Sequence, residues 1–398
     1  MNLILFDDIT VRNHLLPLTA TRPVAEMRFG ILTIREKWEK RLGGKASFLT
    51  ADYLQEKFPL HFDGQTDNVW VNGSISPNDT LIQEIKSLRE GQGLVKNTTL
   101  IAVNSGKQRW NPEAFVFTSR MESQATFLQL QYLWNVFRLN GEAIREDYDL
   151  LTRGRKSEPL SATNTLMGKE LFIEKGAMVE CAILNSLTGP IYIGKDAEVM
   201  EGSIIRGPFA LGEHSTLKMG AKIYGPTTVG PFSKVGGEVS NSVIIGYSNK
   251  GHDGFLGNSV LGEWCNLGAD TNNSNLKNNY AEVKLYNYLE KKQIGTGLQF
   301  CGLMMGDHSK TGINTMLNTG TVVGVCANIF GGGFPPTFVP DFSWGGIAGG
   351  ATYELDKALE VATRVFERRE LIFDEKERKI LSYLFQLTAP LRKPVPAV

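Results

Sequence analysis

The chain has 398 residues, of which 42% are apolar and 21% charged, a balance typical of soluble globular proteins and unlike that of disordered ones. Lys and Arg together number 42, as do Asp and Glu, so the formal net charge is zero and neither a nucleic-acid-binding surface nor an acidic tail is predicted. No apolar run approaches the roughly 20 residues that a membrane-spanning helix needs. The four scattered cysteines show no CxxC pair and no metal-ligand spacing, which favours reduced thiols in a cytoplasmic protein.

The first part of the chain has the pattern of an α/β domain. The opening MNLILFDD is apolar but lacks a basic leader and meets two aspartates at once, so we interpret it as a buried strand rather than a secretion signal. Residues 3–6, 69–71 and 100–103 are typical of buried strands, and helical patterns such as ILTIREKWEKRL separate them. This alternation predicts a Rossmann-like α/β domain with a parallel sheet over residues 1–115. An amphipathic tract then predicts a helical linker over residues 116–155.

An internal repeat dominates the next part of the chain. An aliphatic residue recurs at every sixth position, and a glycine often follows it: Ile193, Val199, Ile205, Leu211, Leu217, Ile223, Val229 and Val235. Neither a helix nor a half-buried strand has this period, whereas a parallel β-solenoid does. We therefore predict a solenoid over residues 156–350, with an insertion at 276–304 where the pattern breaks. The charged, heptad-like tail, 351–398, predicts helices that pack on the solenoid or on a neighbouring subunit.

Residues 251–279 of the predicted solenoid, GHDGFLGNSVLGEWCNLGADTNNSNLKNN, combine a histidine with regularly spaced glycines and a tract of asparagines. Asparagine tolerates left-handed backbone and bonds its own main chain, so most of these asparagines are expected simply to make turns. His252 could likewise be an ordinary turn residue. The alternative is that His252, Asn266 and Asn275 form a site.

Two runs in this stretch resemble a known family. HDGFLGNSVLG, starting at His252, and NLGADTNNSN, starting at Asn266, are similar to the motifs H-x-x-Y-x-G-x-x-x-I-G and N-x-G-A-G-T. These motifs mark the hexapeptide-repeat acyltransferase domain of bifunctional N-acetylglucosamine-1-phosphate uridyltransferase/glucosamine-1-phosphate acetyltransferases. The resemblance implies a left-handed parallel β-helix, with His252 as general base and Asn266 and Asn275 as substrate-binding residues. MGDHSKTGINTMLNTGTVVG, further on, resembles the coils near which that family binds acetyl-CoA.

The same resemblance extends to other substrate contacts, with departures. TLKMGAKI is similar to the L-R-P-G-A segment, which places Lys218 where the family has a substrate-binding arginine. Phe255 replaces the tyrosine of the motif, and Asp270 replaces a glycine. A basic residue of the family has Ser240 at its place, so Lys284 or Lys250 is the candidate to replace it.

The N-terminal domain resembles the sugar nucleotidyltransferases in part. Their loop has the form G-x-G-T-R-L-x-P-L-T-x-x-x-P-K-P, and R…LPLTATRP matches its second half. At the place of the glycine-rich half of the family loop, this chain has FDDITV, which contains no glycine. Glycines would let backbone N–H groups approach the phosphates closely, so the loop is modified here. The resemblance implies a nucleotide site and Mg²⁺, with these residues: Arg12, Thr19, Arg22, Asn72 and Gly73 for the nucleotide, and Asp7 or Asp8 for the metal.

These observations predict a cytoplasmic, homotrimeric enzyme that joins a nucleoside triphosphate to a sugar 1-phosphate and N-acetylates an amino sugar 1-phosphate with acetyl-CoA, in nucleotide-sugar synthesis of the UDP-N-acetylglucosamine type. Neither nucleic acid nor membrane is an expected partner. One alternative is a uridylyl- or thymidylyltransferase whose solenoid only oligomerises or regulates. The other is a non-catalytic assembly protein that binds sugar nucleotides, which the altered phosphate loop favours for the first domain.

Overall fold

The computed structural model describes residues 1–112, 117–346 and 350–392. The predicted boundary between residues 115 and 116 lies outside these ranges, as does 393–398 of the predicted tail. The chain forms two compact units, and two short early segments belong to the second one. Unit 1 comprises Met1–Leu15, Thr21–Met27 and Leu32–Tyr132, whereas unit 2 comprises Leu16–Ala20, Arg28–Ile31 and the chain from Leu133 onward.

Unit 1 is an α/β layer on one six-stranded sheet, as predicted. Its strands are β1 (Asn2–Phe6), β2 (Ser47–Leu49), β3 (Asn68–Asn72), β4 (Gln92–Lys96), β5 (Thr99–Gly106) and β6 (Ser119–Glu122). Its helices are α1 (Ile9–His14), α2 (Ile34–Leu42) and α3 (Asp79–Ser87), with 3-10 turns at Val24–Glu26 and Asp52–Leu54. The strand order is β2-β1-β3-β5-β4-β6. Ile4, Trp70 and Val103 lie in its core, each fully shielded from solvent.

The sheet is mixed, so the prediction of a wholly parallel sheet is wrong. β1 runs parallel to β2 and β3, but β5 runs antiparallel to both β3 and β4. Lys96 pairs with Thr99, so only Asn97 and Thr98 connect β4 to β5. A connection that short can join only antiparallel strands. β6 lies within residues 116–155 and pairs with β4, so this segment contributes a strand as well as helices.

Unit 2 is a parallel β-solenoid preceded by helices α4 (Asn135–Arg138) and α5 (Asn140–Thr152). Each turn places one short strand on each of three faces. Face A contains β7 (Thr165–Met167), β10 (Ile183–Asn185), β13 (Ile204–Arg206), β16 (Lys222–Tyr224), β19 (Glu238–Ser240) and β22 (Phe255–Gly257). Face B contains β8 (Leu171–Ile173), β11 (Ile191–Ile193), β14 (Phe209–Leu211), β17 (Thr227–Val229), β20 (Val243–Gly246), β23 (Val260–Glu263), β27 (Leu303–Met305), β30 (Thr321–Val323) and β32 (Phe338–Val339). Face C contains β9 (Met178–Val179), β12 (Glu198–Val199), β15 (Thr216–Leu217), β18 (Lys234–Val235) and β21 (Asn249–Lys250).

Later turns complete the faces through smaller sheets. β24 (Asn272–Asn273) pairs with β29 (Met316–Leu317). Single bridges from Asn266 to Asn249 and to Lys310 join face C to the remaining strands: β28 (Lys310–Thr311), β31 (Asn328–Ile329), β33 (Ser343–Trp344) and β34 (Ala351–Thr352). The period-six prediction is confirmed, because all eight aliphatic residues from Ile193 to Val235 belong to one core and are at most 1% exposed. Ile193 pairs with Leu211 and Leu211 with Val229, so three hexads make one turn.

The predicted insertion and the predicted tail helices are both present. The chain leaves the repeat after Asn275 and forms the antiparallel hairpin of β25 (Lys284–Asn287) and β26 (Lys292–Gly295), and it rejoins face B at β27 (Leu303–Met305). Helices α6 (Leu355–Glu367) and α7 (Glu375–Leu387) follow the solenoid, with a 3-10 turn at Ala389–Leu391. They pack on it, since Phe366 of α6 stacks on Trp264 at 4.0 Å between ring centroids and Phe385 of α7 meets Phe342 edge-on at 5.1 Å.

Candidate functional sites

The predicted nucleotide-binding residues of unit 1 lie where two parallel strands end. Asp7 follows β1 directly, and Asn72 ends β3 in register with Phe6. Gly73 donates its N–H to the Phe6 carbonyl at 2.8 Å, and a Cβ at Gly73 would lie 3.1 Å from the Cβ of Ala25. A side chain at this position would therefore be tight against Ala25 and the end of β1. Ligands of α/β sheets bind at the carboxyl ends of parallel strands, so this is a suitable position for a nucleotide.

Asp7 is buried and both of its carboxylate oxygens are occupied. Oδ1 accepts a hydrogen bond from the N–H of Val24 at 2.8 Å. Oδ2 accepts from Thr50 Oγ1 at 2.5 Å and forms an ion pair with Arg12 Nη1 at 3.0 Å. Burial raises the pKa of the Asp7 carboxyl, and the charge of Arg12 and the hydrogen bonds oppose that rise. A buried ion pair of this kind costs much desolvation and depends on both partners.

Arg12 is held by further contacts and is only 4% exposed. Its Nη1 donates to the Arg22 carbonyl and its Nη2 to the Tyr53 hydroxyl, both at 2.9 Å. Arg22 is also 4% exposed. The structure therefore brings the guanidinium of Arg12 against the carboxylate of Asp7 and the main-chain carbonyl of Arg22. Their spacing along the sequence could not indicate that Asp7 itself would be the partner of Arg12.

The other predicted residues of this site have structural contacts of their own. Asp8 is the N-cap of α1, and its Oδ1 accepts from the N–H groups of Thr10 and Val11 at 2.9 and 3.1 Å. The Asn72 amide donates to the Leu100 carbonyl at 3.0 Å. Thr19 is fully buried and belongs to the segment Leu16–Ala20 of unit 2.

The carboxylates of unit 1 do not fit a magnesium site as they are arranged. Mg²⁺ needs free carboxylate oxygens in octahedral geometry. Those of Asp7 are occupied by an arginine, a hydroxyl and an N–H group, and Asp8 caps a helix. Within residues 1–112, 117–346 and 350–392, no group of three or more His, Cys, Asp or Glu side chains could hold a metal ion.

His252 lies at an exposed corner of the solenoid between β21 and β22. Gly237 occupies the preceding turn beneath it with φ +70°, and a Cβ there would lie 2.8 Å from the His252 carbonyl oxygen. The buried Lys250 donates from its Nζ to that same carbonyl at 2.5 Å. The imidazole is thus presented on a corner whose backbone is packed from below.

Phe255 and Asn275 converge over one glycine near this corner. A Cβ at Gly257 would lie 2.5 Å from the Phe255 ring and 2.7 Å from Asn275 Nδ2, so both side chains cover the face of that residue. The side-chain amide of Asn275 donates to Asn258 Oδ1 at 2.8 Å, and the main-chain carbonyl of Asn275 accepts from the N–H of Cys301 at 2.9 Å. An apolar ring beside an oriented amide is a surface suited to a sugar.

The remaining predicted substrate residues lie on different elements. Asn266 is exposed on face C, with its Oδ1 3.5 Å from the Asn249 amide. Lys218 is half-buried, with its Cβ 3.2 Å from where a Cβ of Gly236 would lie. Lys284 is exposed on the hairpin strand β25. No hydrogen bond or ion pair joins these three residues to His252 within the described part of the chain.

Two asparagines that were expected only to make turns instead bind the preceding coil. Asn272 Oδ1 accepts from the N–H of Phe255 at 2.8 Å. Asn273 is 3% exposed and in register with the core residue Leu317. Its amide accepts from the N–H of Gly257 at 2.9 Å and donates to the carbonyl of Gly257 at 3.1 Å. The period-six repeat could have indicated that Asn273 points inward, because Asn273 falls at a position of the repeat that elsewhere holds an aliphatic residue. The asparagine-rich composition of the segment does not show this.

The chain thus combines an α/β unit with a unit built on a parallel β-solenoid. Residues 3–156 match the family model described as sugar nucleotidyl transferase. No helix in the described ranges combines the length and apolarity needed to cross a bilayer.

Curated relatives agree with the predicted resemblance. The chain is 37% identical over 148 residues to the bifunctional sugar-1-phosphate nucleotidylyltransferase/acetyltransferase of Sulfurisphaera tokodaii, covering 37% of this chain and 36% of that protein. It is 30% identical over 136 residues to the bifunctional protein GlmU of Methanocaldococcus jannaschii, covering 34% of this chain and 28% of the relative. The matched regions thus span about a third of these relatives, 36% and 28% of their length. The resemblance to bifunctional sugar nucleotidyltransferase/acetyltransferases is confirmed.

Among solved structures, UDP-N-acetylglucosamine acyltransferase from Campylobacter jejuni aligns with 56% of this chain and 94% of its own, at 11% identity and a TM-score of 0.17. A superposition that weak supports neither fold nor function.

Proposed function

We propose that this chain is a bifunctional transferase of nucleotide-sugar synthesis. Unit 1 transfers the nucleotidyl group of a nucleoside triphosphate to a sugar 1-phosphate and releases pyrophosphate. The solenoid transfers an acetyl group from acetyl-CoA to the amine of an amino sugar 1-phosphate, as in the formation of UDP-N-acetylglucosamine. The family match of residues 3–156 and the names of the curated relatives support the pairing of the two activities. The observation that carries the acetyl-transfer half is the exposed His252 beside the surface formed by Phe255 and Asn275.

In the solenoid, the proposed reaction needs an unprotonated amine. The amine nitrogen attacks the thioester carbon, the C–S bond breaks, and the CoA thiolate leaves and takes up a proton. His252 removes the proton that the amine loses, because a histidine can accept a proton near neutral pH. Phe255 packs against the sugar ring, and the amide of Asn275 binds its hydroxyl groups. Asn266, Lys218 and Lys284 are proposed to contact the substrate from neighbouring elements.

In unit 1, Arg12 and Arg22 are proposed to bind the phosphates of the nucleotide beside Asn72 and Gly73. Arg12 must then exchange the carboxylate of Asp7 for a phosphate group, because two phosphate oxygens can accept paired N–H bonds from a guanidinium as a carboxylate does. Because both oxygens of Asp7 are occupied and Oδ1 of Asp8 caps a helix, no step of the reaction is assigned to Mg²⁺.

The test of acetyl transfer compares two exposed corner histidines. With acetyl-CoA and glucosamine 1-phosphate as substrates, release of free thiol should fall by about 10² to 10⁴ in His252→Ala, the usual cost of losing a general base. His214 also lies on a solenoid corner with 41% of its side chain exposed, so His214→Ala is the matched control and should keep the wild-type rate. Normal acetyl transfer by a folded His252→Ala protein would contradict the assignment.

The assembly is proposed to be a homotrimer, in which a neighbouring subunit adds a wall to each solenoid site. Light scattering at micromolar concentration tests this directly. A stable particle of 44.0 kDa, the mass of one chain, would refute it.

A second candidate for unit 1 is nucleotide binding without catalysis. The closed Asp7–Arg12 pair favours this alternative, since it keeps the arginine away from a ligand. Release of pyrophosphate from a nucleoside triphosphate and a sugar 1-phosphate separates the two: turnover supports the transferase, whereas binding of the sugar nucleotide without turnover supports the alternative.

A further inference from the structure

Lys250 occupies an interior position of the solenoid that otherwise holds aliphatic residues. On face C, Val199 pairs with Leu217, Leu217 with Val235, and Val235 with Lys250, all in register. Residues in register on parallel strands point the same way, so Lys250 points into the core with the aliphatic residues before it. It is 2% exposed. A lysine at such a place is rare unless its ammonium has partners.

The ammonium of Lys250 turns back to the corner that carries His252. Nζ donates to the His252 carbonyl oxygen at 2.5 Å. The charged groups that act on this ammonium are the carboxylates of Asp253, on the same corner, and of Asp270, on the next turn. The main-chain N–H of Asp270 also donates to the main-chain carbonyl of Asp253 at 3.1 Å, which joins the two turns. Burial lowers the pKa of Lys250 to about 8, and the two carboxylates oppose that shift.

Besides Lys250, main-chain contacts hold the corner, among them the packing of Gly237 beneath it and the bond from the Asp270 N–H to the Asp253 carbonyl. Gly251 and Gly254 flank His252 and Asp253, and Gly254 has φ +114°, so the intrinsic backbone freedom of this segment is large. No side chain within the described residues donates to or accepts from the imidazole of His252. The direction of the imidazole therefore depends on the backbone, and its carbonyl is the group that Lys250 holds.

We propose that Lys250 is a positioning residue for the acetyl-transfer site, which holds the His252 corner from inside the solenoid through its bond to the His252 carbonyl. This inference rests on the proposed role of His252 as base. A shift of the base by about 1 Å is enough to slow a reaction by around two orders of magnitude. Lys250 is enclosed and does not reach substrate, which distinguishes it from the surface lysines Lys218 and Lys284.

Lys310 offers a matched control. Its Nζ donates to the carbonyl of His308 at 2.8 Å, and burial lowers its pKa as well. The contact is of the same kind but lies on a turn that does not carry His252. Lys250→Met and Lys310→Met therefore remove equivalent bonds at different corners.

The first measurement is acetyl transfer as a function of pH on the full chain. Lys250→Met should lower kcat by about 10- to 100-fold with an unchanged KM for acetyl-CoA. Wild-type kcat should decline above about pH 8 as Lys250 loses its proton. Asp270→Asn should move that decline to lower pH, because the carboxylate stabilises the ammonium. Lys250→Gln keeps an N–H donor without a charge, so it should recover part of kcat and show no decline.

The second measurement does not depend on activity. Hydrogen exchange followed by mass spectrometry should show the peptide covering residues 251–258 exchanging at least about 10-fold faster in Lys250→Met and unchanged in Lys310→Met. If the wild-type chain transfers no acetyl group, the proposed function is wrong, and this exchange result alone decides whether Lys250 holds the corner. Unchanged exchange in Lys250→Met, or an alkaline decline that persists in it, overturns the inference. If Lys250→Met does not fold, the alkaline decline of kcat in Lys250→Gln and in Asp270→Asn decides the inference instead.

Discussion

The burial of the Lys250 ammonium should lower the free energy of unfolding, and the variant Lys250→Met should show by how much. The pKa of this lysine falls from 10.5 to about 8 on folding. Each pKa unit corresponds to about 1.36 kcal/mol, so the charged form is destabilised in the native state by at most about 3 kcal/mol. A buried methionine at the same place removes this penalty but also loses the bond to the His252 carbonyl, worth about 1.5 to 3 kcal/mol for a charged donor. Near pH 7 the two effects nearly cancel, and Lys250→Met should be as stable as wild type or slightly more stable.

The pH dependence isolates the burial penalty. Because the native pKa lies below the unfolded one, both states carry the proton below about pH 8 and the penalty is fully present there. Between about pH 8 and 10.5 the unfolded state binds more protons than the native state, so the contribution of Lys250 to stability rises with pH. The free energy of unfolding of wild type relative to Lys250→Met should therefore increase by up to about 3 kcal/mol over this window.

Urea unfolding of both proteins at a series of pH values measures this difference, and subtraction removes the titration of the buried cysteines, which the two proteins share. A difference that stays flat from pH 7 to 10.5 would refute the reasoning, since it would mean that Lys250 has the same pKa in the folded and unfolded states.

Two further expectations concern unit 1. Asp7→Ala leaves the buried charge of Arg12 without its carboxylate and should lower the free energy of unfolding by about 3 to 5 kcal/mol, whereas Asp8→Ala removes only a helix cap and should cost about 1 kcal/mol. Equal losses in denaturant titrations would contradict the distinct contacts of the two aspartates. Arg22→Ala should raise the nucleotide KM or lower kcat by one to two orders of magnitude, about 1.4 to 2.7 kcal/mol, without affecting acetyl transfer. Wild-type nucleotidyl transfer by Arg22→Ala would exclude Arg22 from the phosphate site.

The solenoid could be predicted because one physical constraint acts on one residue in six. Each inward position of a short strand admits little but an aliphatic side chain, so residues such as Leu211 and Val229 recur at a spacing that no other structure produces. The mixed sheet of unit 1 was missed because strand direction depended on the two-residue link at Asn97 rather than on hydrophobic pattern. The pairing of Asp7 with Arg12 is a matter of burial, which tertiary packing decides and local spacing does not reveal.

At the hexad positions that hold aliphatic residues from Ile193 to Val235, three described residues on the turns around the His252 corner are polar. Lys250, Asn273 and Thr311 are 2%, 3% and 5% exposed and occupy inward positions in register with core residues. Each bonds to main chain nearby, and the hydroxyl of Thr311 accepts from the N–H of Gly268 at 3.1 Å. An aliphatic residue at any of these places would bury apolar surface at no cost in desolvation.

On these turns, polar side chains replace aliphatic ones and bond to the main chain, so some apolar packing is lost and the backbone is held in place. The turns lie around the candidate site. Burial of a polar group costs free energy unless it is bonded, so the exchange gives rigidity to a particular segment rather than stability to the whole. The turns between Ile193 and Val235, which carry none of the predicted catalytic residues, keep aliphatic residues at the same positions. Those turns also bury bonded serines such as Ser215, so it is the replacement of the aliphatic residue itself that singles out the turns around the His252 corner.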